Sequence, residues 1–332
     1  MSEMKVLVTG ATGFLGSSLI KLLEEHNIII HAFGRNSIKG NLLKSTLTQF
    51  YQGDLLDIEE LRKAALGCTH VIHAAALSTL WGKWDDFYHC NVQGTQNILK
   101  ICEELEIKRL IYISSPSIYC SPENQFDIPE ERIITGKPFN YYIKSKRMAE
   151  TLIKSQINPS FEWTIIRPRG LFGIGDTSLI PRLMEANDKQ GIPLIRSGKN
   201  LMDITYVDNV SYSIYLALIK DNVNTQIFNI TNGEPMTFKQ MITMFMNKIN
   251  KPVKFLKLPL PLFKLIVSAI EAWYKFFKIY EEPPVTLYTL ITLGYSQTLD
   301  ISKAEKILDY KPLISVEEGM DIYAKWYKEQ DK

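Results

Sequence analysis

A short apolar run, Lys5-Val6-Leu7-Val8, leads into Thr9–Gly16, TGATGFLG. From there the chain runs into Phe14–His26, where Leu15, Leu19, Leu22 and Leu23 recur at helical spacing. A strand that enters a helix through a turn holding Gly10, Gly13 and Gly16 leaves backbone N–H groups free at the helix N-terminus. There the positive end of the helix dipole favours a pyrophosphate. Glycine is needed where a side chain would block the phosphate or the strand–helix contact. The spacing is GxxGxxG rather than GxGxxG, and the triplet alone could be a structural turn; the strand before it and the helix after it favour dinucleotide binding.

The alternation of strand and helix continues. Asn27 suits a left-handed closure of the first helix. Ile28–Phe33 reads as a second buried strand, Phe50–Leu55 as a third strand and its exit, His70–Ala76 as a fourth and Arg109–Ser115 as a fifth. Asp57 suits an N-cap for a helix through Leu66 that Gly67 ends, and Trp81–Glu106 reads as mostly one long helix. So regular an alternation predicts an α/β fold, a doubly wound parallel sheet of Rossmann type with ligands at the carboxyl ends of its strands. About 20 residues past such a glycine turn, NAD-binding chains usually carry an acid for the ribose 2′-hydroxyl, whereas an arginine accommodates the 2′-phosphate of NADP. Gly34-Arg35-Asn36 supplies no acid and does supply Arg35. The expected cofactor is therefore NADP, with NAD as the alternative.

Composition removes other classes. In 332 residues the formal net charge is +2, which gives no general attraction to nucleic acid or anionic lipid. Cys68, Cys90, Cys102 and Cys120 are widely spaced without a CxxC pair, which reads as reduced thiols in a cytoplasmic protein with no metal site. No apolar run approaches the ~18–20 residues of a membrane span. Met1 runs almost directly into the first strand, so no signal peptide is expected.

Tyr142 and Lys146 are four residues apart in a segment that continues helically through Met148–Leu152, and so share one face. An ammonium beside a phenol favours the phenolate and is expected to lower its pKa, making Tyr142 a usable proton donor or acceptor. Ser115, at the end of the fifth strand, could hold a substrate carbonyl oxygen as charge develops on it. His73 on the fourth strand is read as a packed structural histidine rather than a base.

The order TGATGFLG, GDLLD, HVIHAAA, NVQGT, YISSPSIY, YxxSK, IIRPRGLFGIGD, ITYVDNV resembles the extended short-chain dehydrogenase/reductases along nearly the whole chain. The resemblance implies that Gly10, Thr12, Gly13, Phe14, Leu15 and Gly16 hold the pyrophosphate and that Asp54 and Leu55 border the adenine. It implies that Ala74, Ala75 and Ala76 line the cofactor groove and that Pro168 touches the nicotinamide end. It implies Ser115, Tyr142 and Lys146 as the catalytic set, with Tyr142 and Lys146 also at the cofactor, and Asn91 in a supporting helix motif without chemistry. It implies a discontinuous division, with residues 1–168 and 203–229 binding the cofactor and residues 169–202 and 230–332 forming a smaller substrate domain. A homodimer through the Trp84–Glu104 and Tyr142–Ile157 helices is implied as well.

Within the superfamily, Met202 stands where nucleotide-sugar members carry a phosphate-binding arginine, and Asp203 and Asp208 are expected to cap and anchor. Ala75–Thr95, and Arg167–Asp176 followed by Leu179–Arg182, are similar to the 3β-hydroxysteroid dehydrogenase-like branch, which includes 2-alkyl-3-oxoalkanoate reductases and sterol decarboxylating dehydrogenases. The expected activity is interconversion of a ketone and a secondary alcohol on a large apolar substrate. The alternatives are a nucleotide-sugar epimerase or dehydratase and, less favoured because Tyr142 and Lys146 are both present, a redox-silent NADP-binding regulator. Pro259–Ile279 is apolar except for the stripe Lys264, Ser268, Glu271, Lys275 and Lys278. One account buries it on most sides or at a dimer contact. The other makes it a wall or lid for an apolar substrate that touches a membrane surface with its lysines near the headgroups.

Overall fold

The structure is a computed structural model and describes residues 4–157 and 159–330. Its centre is a seven-stranded parallel sheet built from β1 (Lys5–Thr9), β2 (Ile29–Gly34), β3 (Thr48–Gln52), β4 (His70–His73), β5 (Arg109–Ile113), β6 (Glu162–Pro168) and β7 (Gln226–Ile230). The strand order is β7-β6-β5-β4-β1-β2-β3, with every pairing parallel. The order reverses between β1 and β4, the switch point at which such sheets bind ligands. Val6, Val8, Ile30, Ile72 and Ile111 pack one face of the sheet, and Leu7, Val71, Leu110 and Ile165 the other, which is why these strands read as near-continuous apolar runs.

The glycine turn is built as its sequence requires. Gly10 takes φ +71°, and a Cβ there would lie 2.7 Å from the Ala75 nitrogen at the exit of β4. At Gly16 a Cβ would lie 2.2 Å from the Gly10 carbonyl oxygen, so any side chain there would prise the first helix, α1 (Phe14–Glu25), off its strand. Asn27 closes that helix at φ 56°, and Asp57 caps α2 (Ile58–Ala65) by accepting from the N–H groups of Glu59 and Glu60.

The long helix expected over Trp81–Glu106 is interrupted. A helical turn at Trp84–Phe87 passes into a π-helix at Tyr88–Gln93, and only then into α3 (Gly94–Glu104). The wide turn carries the buried Asn91, whose Nδ2 donates to the Leu77 carbonyl (2.9 Å) and to Ser145 Oγ (2.8 Å), while its Oδ1 accepts from the Leu77 N–H (2.7 Å). The extra residue aims one amide at two neighbouring segments, as π-turns at functional sites commonly do.

Beyond the main sheet, a four-stranded sheet combines Gln125–Ile128, Leu201–Met202, Met236–Thr237 and Gln297–Leu299. Asp203 accepts there from the Leu299 N–H (2.8 Å), and Asp208 accepts from Ser18 (2.8 Å), anchoring contacts of the kind expected for both. The apolar segment near residue 260 forms a helix, Leu260–Phe276, that departs from the account burying it on most sides. Only Phe263, Val267 and Glu271 are buried, while Leu265, Trp273 and Phe276 are 68%, 60% and 80% exposed. Glu271, expected on the solvated stripe, instead accepts from the Leu287 N–H (2.7 Å) and pairs with Lys275 (2.9 Å).

Candidate active site

Tyr142 and Lys146 lie on α4 (Tyr141–Lys154), whose first turn is fixed by the Asn140 side chain accepting from the Ile143 N–H (2.8 Å). Lys146 is buried. Its Nζ donates to the Ile113 carbonyl at the end of β5 (2.6 Å) and lies 4.3 Å from the centre of the Tyr112 ring. Ser115, two residues beyond β5, is half-buried; its Oγ accepts from the Ser117 N–H (3.2 Å) and donates to Ser117 Oγ (3.0 Å). The structure thus brings Ser115, Tyr142 and Lys146 together at the carboxyl edge of the sheet.

The electrostatics differ from the sequence expectation. Burial pushes the Tyr142 phenol up to about 12, the Ser115 hydroxyl pulling the other way. Lys146 does not lower it: its ammonium is turned to the Ile113 carbonyl, and burial lowers Lys146 itself to about 7 against the raising effect of Glu150. At neutral pH Tyr142 therefore holds its proton.

Glu150 is the hub behind these groups. Arg167 donates to both its oxygens (2.8 and 2.6 Å), and Ser114 Oγ donates to one of them (2.6 Å). Burial alone would raise the Glu150 carboxyl, but Arg167 and Lys154 outweigh it and hold it at about 2. Arg167 further donates to the Tyr119 hydroxyl and to the Glu130 carbonyl (3.1 Å). His73 is wholly enclosed. Thr95 Oγ1 donates to the Asn91 carbonyl (2.7 Å) and so accepts from His73 Nε2 (3.1 Å), leaving Thr9 Oγ1 to donate to Nδ1 (2.7 Å). Burial, reinforced by the Lys146 charge, takes that imidazole down to about 3, which fits the structural reading.

The residues expected at a dinucleotide gather at the carboxyl ends of the strands, some exposed and some buried. Gly13 is the exposed N-cap of α1 with no side-chain cap, so the first-turn N–H groups beyond it, at Phe14, Leu15 and Gly16, have no side-chain acceptor. Thr12 packs against Gly34, and Ala74, Ala75 and Ala76 are half-buried at the end of β4. Arg35 is exposed just past β2, its Nη1 3.8 Å from Asp54 Oδ2. Leu55 is buried, its carbonyl accepting from Asn97 (2.8 Å), and Pro168 is buried at the end of β6. Open donors at a helix end, small residues along one wall and a cation at the far end fit a dinucleotide. Among the described residues no cluster of His, Cys, Asp or Glu could hold a metal ion.

The sequence reading left two site features without a part to play. Asn91 was placed near the site without its double anchorage, which depends on the π-turn. Arg169, buried just past β6, drew no attention although the RPR run at 167–169 displays it.

A switch-point Rossmann sheet with a Ser–Tyr–Lys cluster at its carboxyl edge defines an oxidoreductase of the extended short-chain dehydrogenase/reductase class. The chain belongs to the 3-beta hydroxysteroid dehydrogenase/isomerase family, whose model matches residues 7–260. It is 30% identical to a 2-alkyl-3-oxoalkanoate reductase of Shewanella oneidensis, over 94% of this chain and 84% of that one. It is also 30% identical to a decarboxylating sterol-4-alpha-carboxylate 3-dehydrogenase of Candida albicans, over 99% of both chains. Among solved structures, UDP-glucuronic acid 4-epimerase from Bacillus cereus, in complex with UDP-glucuronic acid and NAD, shares the fold with a TM-score of 0.78. That likeness covers 98% of this chain and 100% of the other at 23% identity.

The buried Lys146 gives a stability prediction that needs no substrate. With its pKa at 10.5 unfolded and about 7 folded, the unfolded chain binds the extra proton between those values. The cost of burying the ammonium is therefore complete below about pH 7 and is relieved as pH rises toward 10.5. Relative to Lys146→Met, the wild type should gain stability across that interval, as read by urea midpoints at several pH values. A difference between the two proteins that does not change with pH would show that Lys146 is not held near neutrality.

Proposed function

We propose that the protein interconverts a ketone and a secondary alcohol on a large apolar substrate, using NADP(H). The supporting observation is the convergence of Ser115, Tyr142 and Lys146 beside the groove that begins at the glycine turn. In this reading residues 1–168 and 203–229 carry the cofactor, and residues 169–202 and 230–332 the substrate. The N–H groups at Gly13–Gly16, with Gly10 and Thr12, receive the diphosphate, Asp54 and Leu55 border the adenine, and Ala74–Ala76 and Pro168 face the nicotinamide half. The nicotinamide, when bound, gives or takes the hydride.

The protein's own part is proton transfer and charge stabilisation. A phenol at about 12 keeps its proton at neutral pH, so Tyr142 is ready to protonate the oxygen of a carbonyl being reduced. Ser115 donates to the same oxygen, and Lys146, whose ammonium is turned away from the phenol to the Ile113 carbonyl, is assigned to the nicotinamide ribose. The names of the two relatives carry the substrate class: one acts on an oxoalkanoate and the other on a sterol carboxylate. Turnover of reduced cofactor against apolar 3-oxo compounds, sterols and nucleotide sugars tests the reading, and a nucleotide sugar as best substrate would replace it with an epimerase or dehydratase. In that assay Tyr142→Phe should lose ~10²–10⁴-fold in kcat while binding the cofactor as before by fluorescence titration.

Arg35 supports the choice of NADP. The guanidinium is exposed and held only loosely by Asp54 at 3.8 Å, and the residues that end β2, Phe33 and Gly34, supply no acid. A phosphate would make a charge-assisted contact with it. Arg35→Ala should raise the KM for NADPH by about tenfold or more and leave that for NADH nearly unchanged. Equal losses for both would remove Arg35 from the 2′-phosphate.

The helix Leu260–Phe276 has two apolar sides. Its inner side, Phe263 and Val267, packs in one cluster with Ile143, Cys120 and Tyr288 next to the catalytic tyrosine. Its outer side exposes Leu262, Leu265, Ile266, Trp273 and Phe276, with Lys264 and Lys275 also exposed. A helix that walls the pocket while presenting aromatic side chains and lysines outward suits the surface of a bilayer in which an apolar substrate dissolves. No helix among the described residues is long and apolar enough to cross a membrane. The protein should co-sediment with vesicles containing anionic lipid, and Phe276→Asp should reduce the bound fraction several-fold. A two-chain mass in solution that Phe276→Asp reduces to one, without vesicle binding, assigns the face to self-association instead.

A further inference from the structure

Arg169 is a largely buried cation: only 7% of its surface is exposed, and among the described residues its guanidinium has no hydrogen bond and no ion pair, the small exposed remainder leaving its nitrogens open to a ligand. Its main chain is firmly held: the N–H donates to the Ile230 carbonyl (3.0 Å), and the carbonyl accepts from Thr205 Oγ1 (2.5 Å). Gly170 follows at φ +55°, its missing Cβ allowing the Asp203 carbonyl to approach. Buried charges in folded proteins are almost always paired, because removing a charge from water is costly. Arg167, two residues earlier, obeys the rule through Glu150. Arg169 does not.

Its position explains why. Ile113 of β5 pairs with Ile166 of β6, and the Ser114 N–H donates to the Ile166 carbonyl (2.7 Å). Continuing that register sets Ser115 beside Pro168, with Arg169 one residue further, about 3.3 Å along the strand direction. The side chain therefore starts one residue beyond the level of Ser115, at the carboxyl end of β6. Its charge is felt by Tyr288 and Cys120, in each case opposing the burial that raises them, and Tyr288 in turn neighbours Tyr142. Asp203, an acid whose charge Arg169 favours, makes no ion pair with it; that carboxyl already accepts from the Leu299 N–H, and burial raises it to about 6.

We infer that Arg169 is the specificity-determining residue that binds a carboxylate carried by the substrate close to the reacting carbon. This inference rests on the proposed ketone–alcohol chemistry and narrows its substrate to acids. The anion supplies the missing counter-charge, and pairing with a guanidinium fork fixes which carbon faces Tyr142. A neutral ketone of equal chain length would leave the cation buried and unpaired.

The test compares a 2-alkyl-3-hydroxy acid with its methyl ester as substrates for oxidation, in wild type, Arg169→Met and Arg169→Lys. Wild type should favour the acid by about 10–100-fold in kcat/KM, the usual worth of a hydrogen-bonded charge pair. Arg169→Met should lose most of that preference while retaining ester turnover, and Arg169→Lys should keep part of it. Independently of turnover, calorimetry with a non-reacting 2-alkyl carboxylate should show a Kd weakened by a similar factor in Arg169→Met. Equal use of acid and ester by the wild type overturns the inference, and so does a folded Arg169→Met that loses both substrates alike. If Arg169→Met does not fold, the wild-type preference and Arg169→Lys decide. Turnover of neither substrate would overturn the ketone–alcohol reading, and the calorimetric comparison would still decide the role of Arg169.

Discussion

The buried pair between Glu150 and Arg167 is the contact on which the site's geometry depends. Glu150 stands on the same helix as Tyr142 and Lys146, one turn beyond the lysine, and Arg167 stands on the strand beside β5. Two parallel hydrogen bonds leave little freedom to slide or rotate, so the helix is registered against the ends of two strands at once. Ser114, immediately before the catalytic-serine candidate, donates to the same carboxylate, and the Tyr119 hydroxyl and Glu130 carbonyl complete the set of acceptors around Arg167. Removing one partner would leave the other charge buried and alone, a loss of about 3–5 kcal/mol in comparable cases. The active site thus inherits its precision from an ion pair that takes no part in the chemistry.

The parts legible in the sequence were those that local spacing dictates. The glycine turn, the first five strands, the Asp57 cap and the shared face of Tyr142 and Lys146 each follow from residues close together in the chain. What was not legible depends on burial by distant segments. Tyr142 and Lys146 occupy one helix face, as their spacing requires, but the Ile113 carbonyl captures the ammonium, and only the fold brings that carbonyl there. The π-turn at Tyr88–Gln93 has no spacing signature of its own. Arg169 looks like any arginine until the register of β5 on β6 places it past Ser115. For the helix at Leu260–Phe276, periodicity located the polar stripe, and Lys264, Ser268 and Lys275 on it are exposed; the departure is confined to Glu271. Glu271 turns inward because the N-terminus of the helix starting at Leu287 needs an acceptor, and one buried hydrogen bond to a charged group outweighs its solvation there.

The same helix leaves Leu262, Leu265, Ile266, Trp273 and Phe276 facing outward beside its exposed lysines. A contiguous exposed apolar patch of this kind marks an interaction surface more often than an accident of packing. Here it lies on the back of the element whose front lines the catalytic neighbourhood. Trp81, in the loop leaving β4, donates its ring N–H to the Ile279 carbonyl just past the helix (2.9 Å) and meets the Tyr274 ring edge-on, so the helix is also tied to the loop that follows β4.

The two buried cations at the carboxyl edge divide the electrostatic work. Lys146, lowered by burial to about 7, rests on the Ile113 carbonyl. Arg169 offers a planar guanidinium fork, a shape that pairs with a carboxylate through two parallel hydrogen bonds and so fixes its orientation as well as its position. An ammonium is a point charge without that directional preference, so exchanging the two residue types would leave an anion beside position 169 held but not oriented.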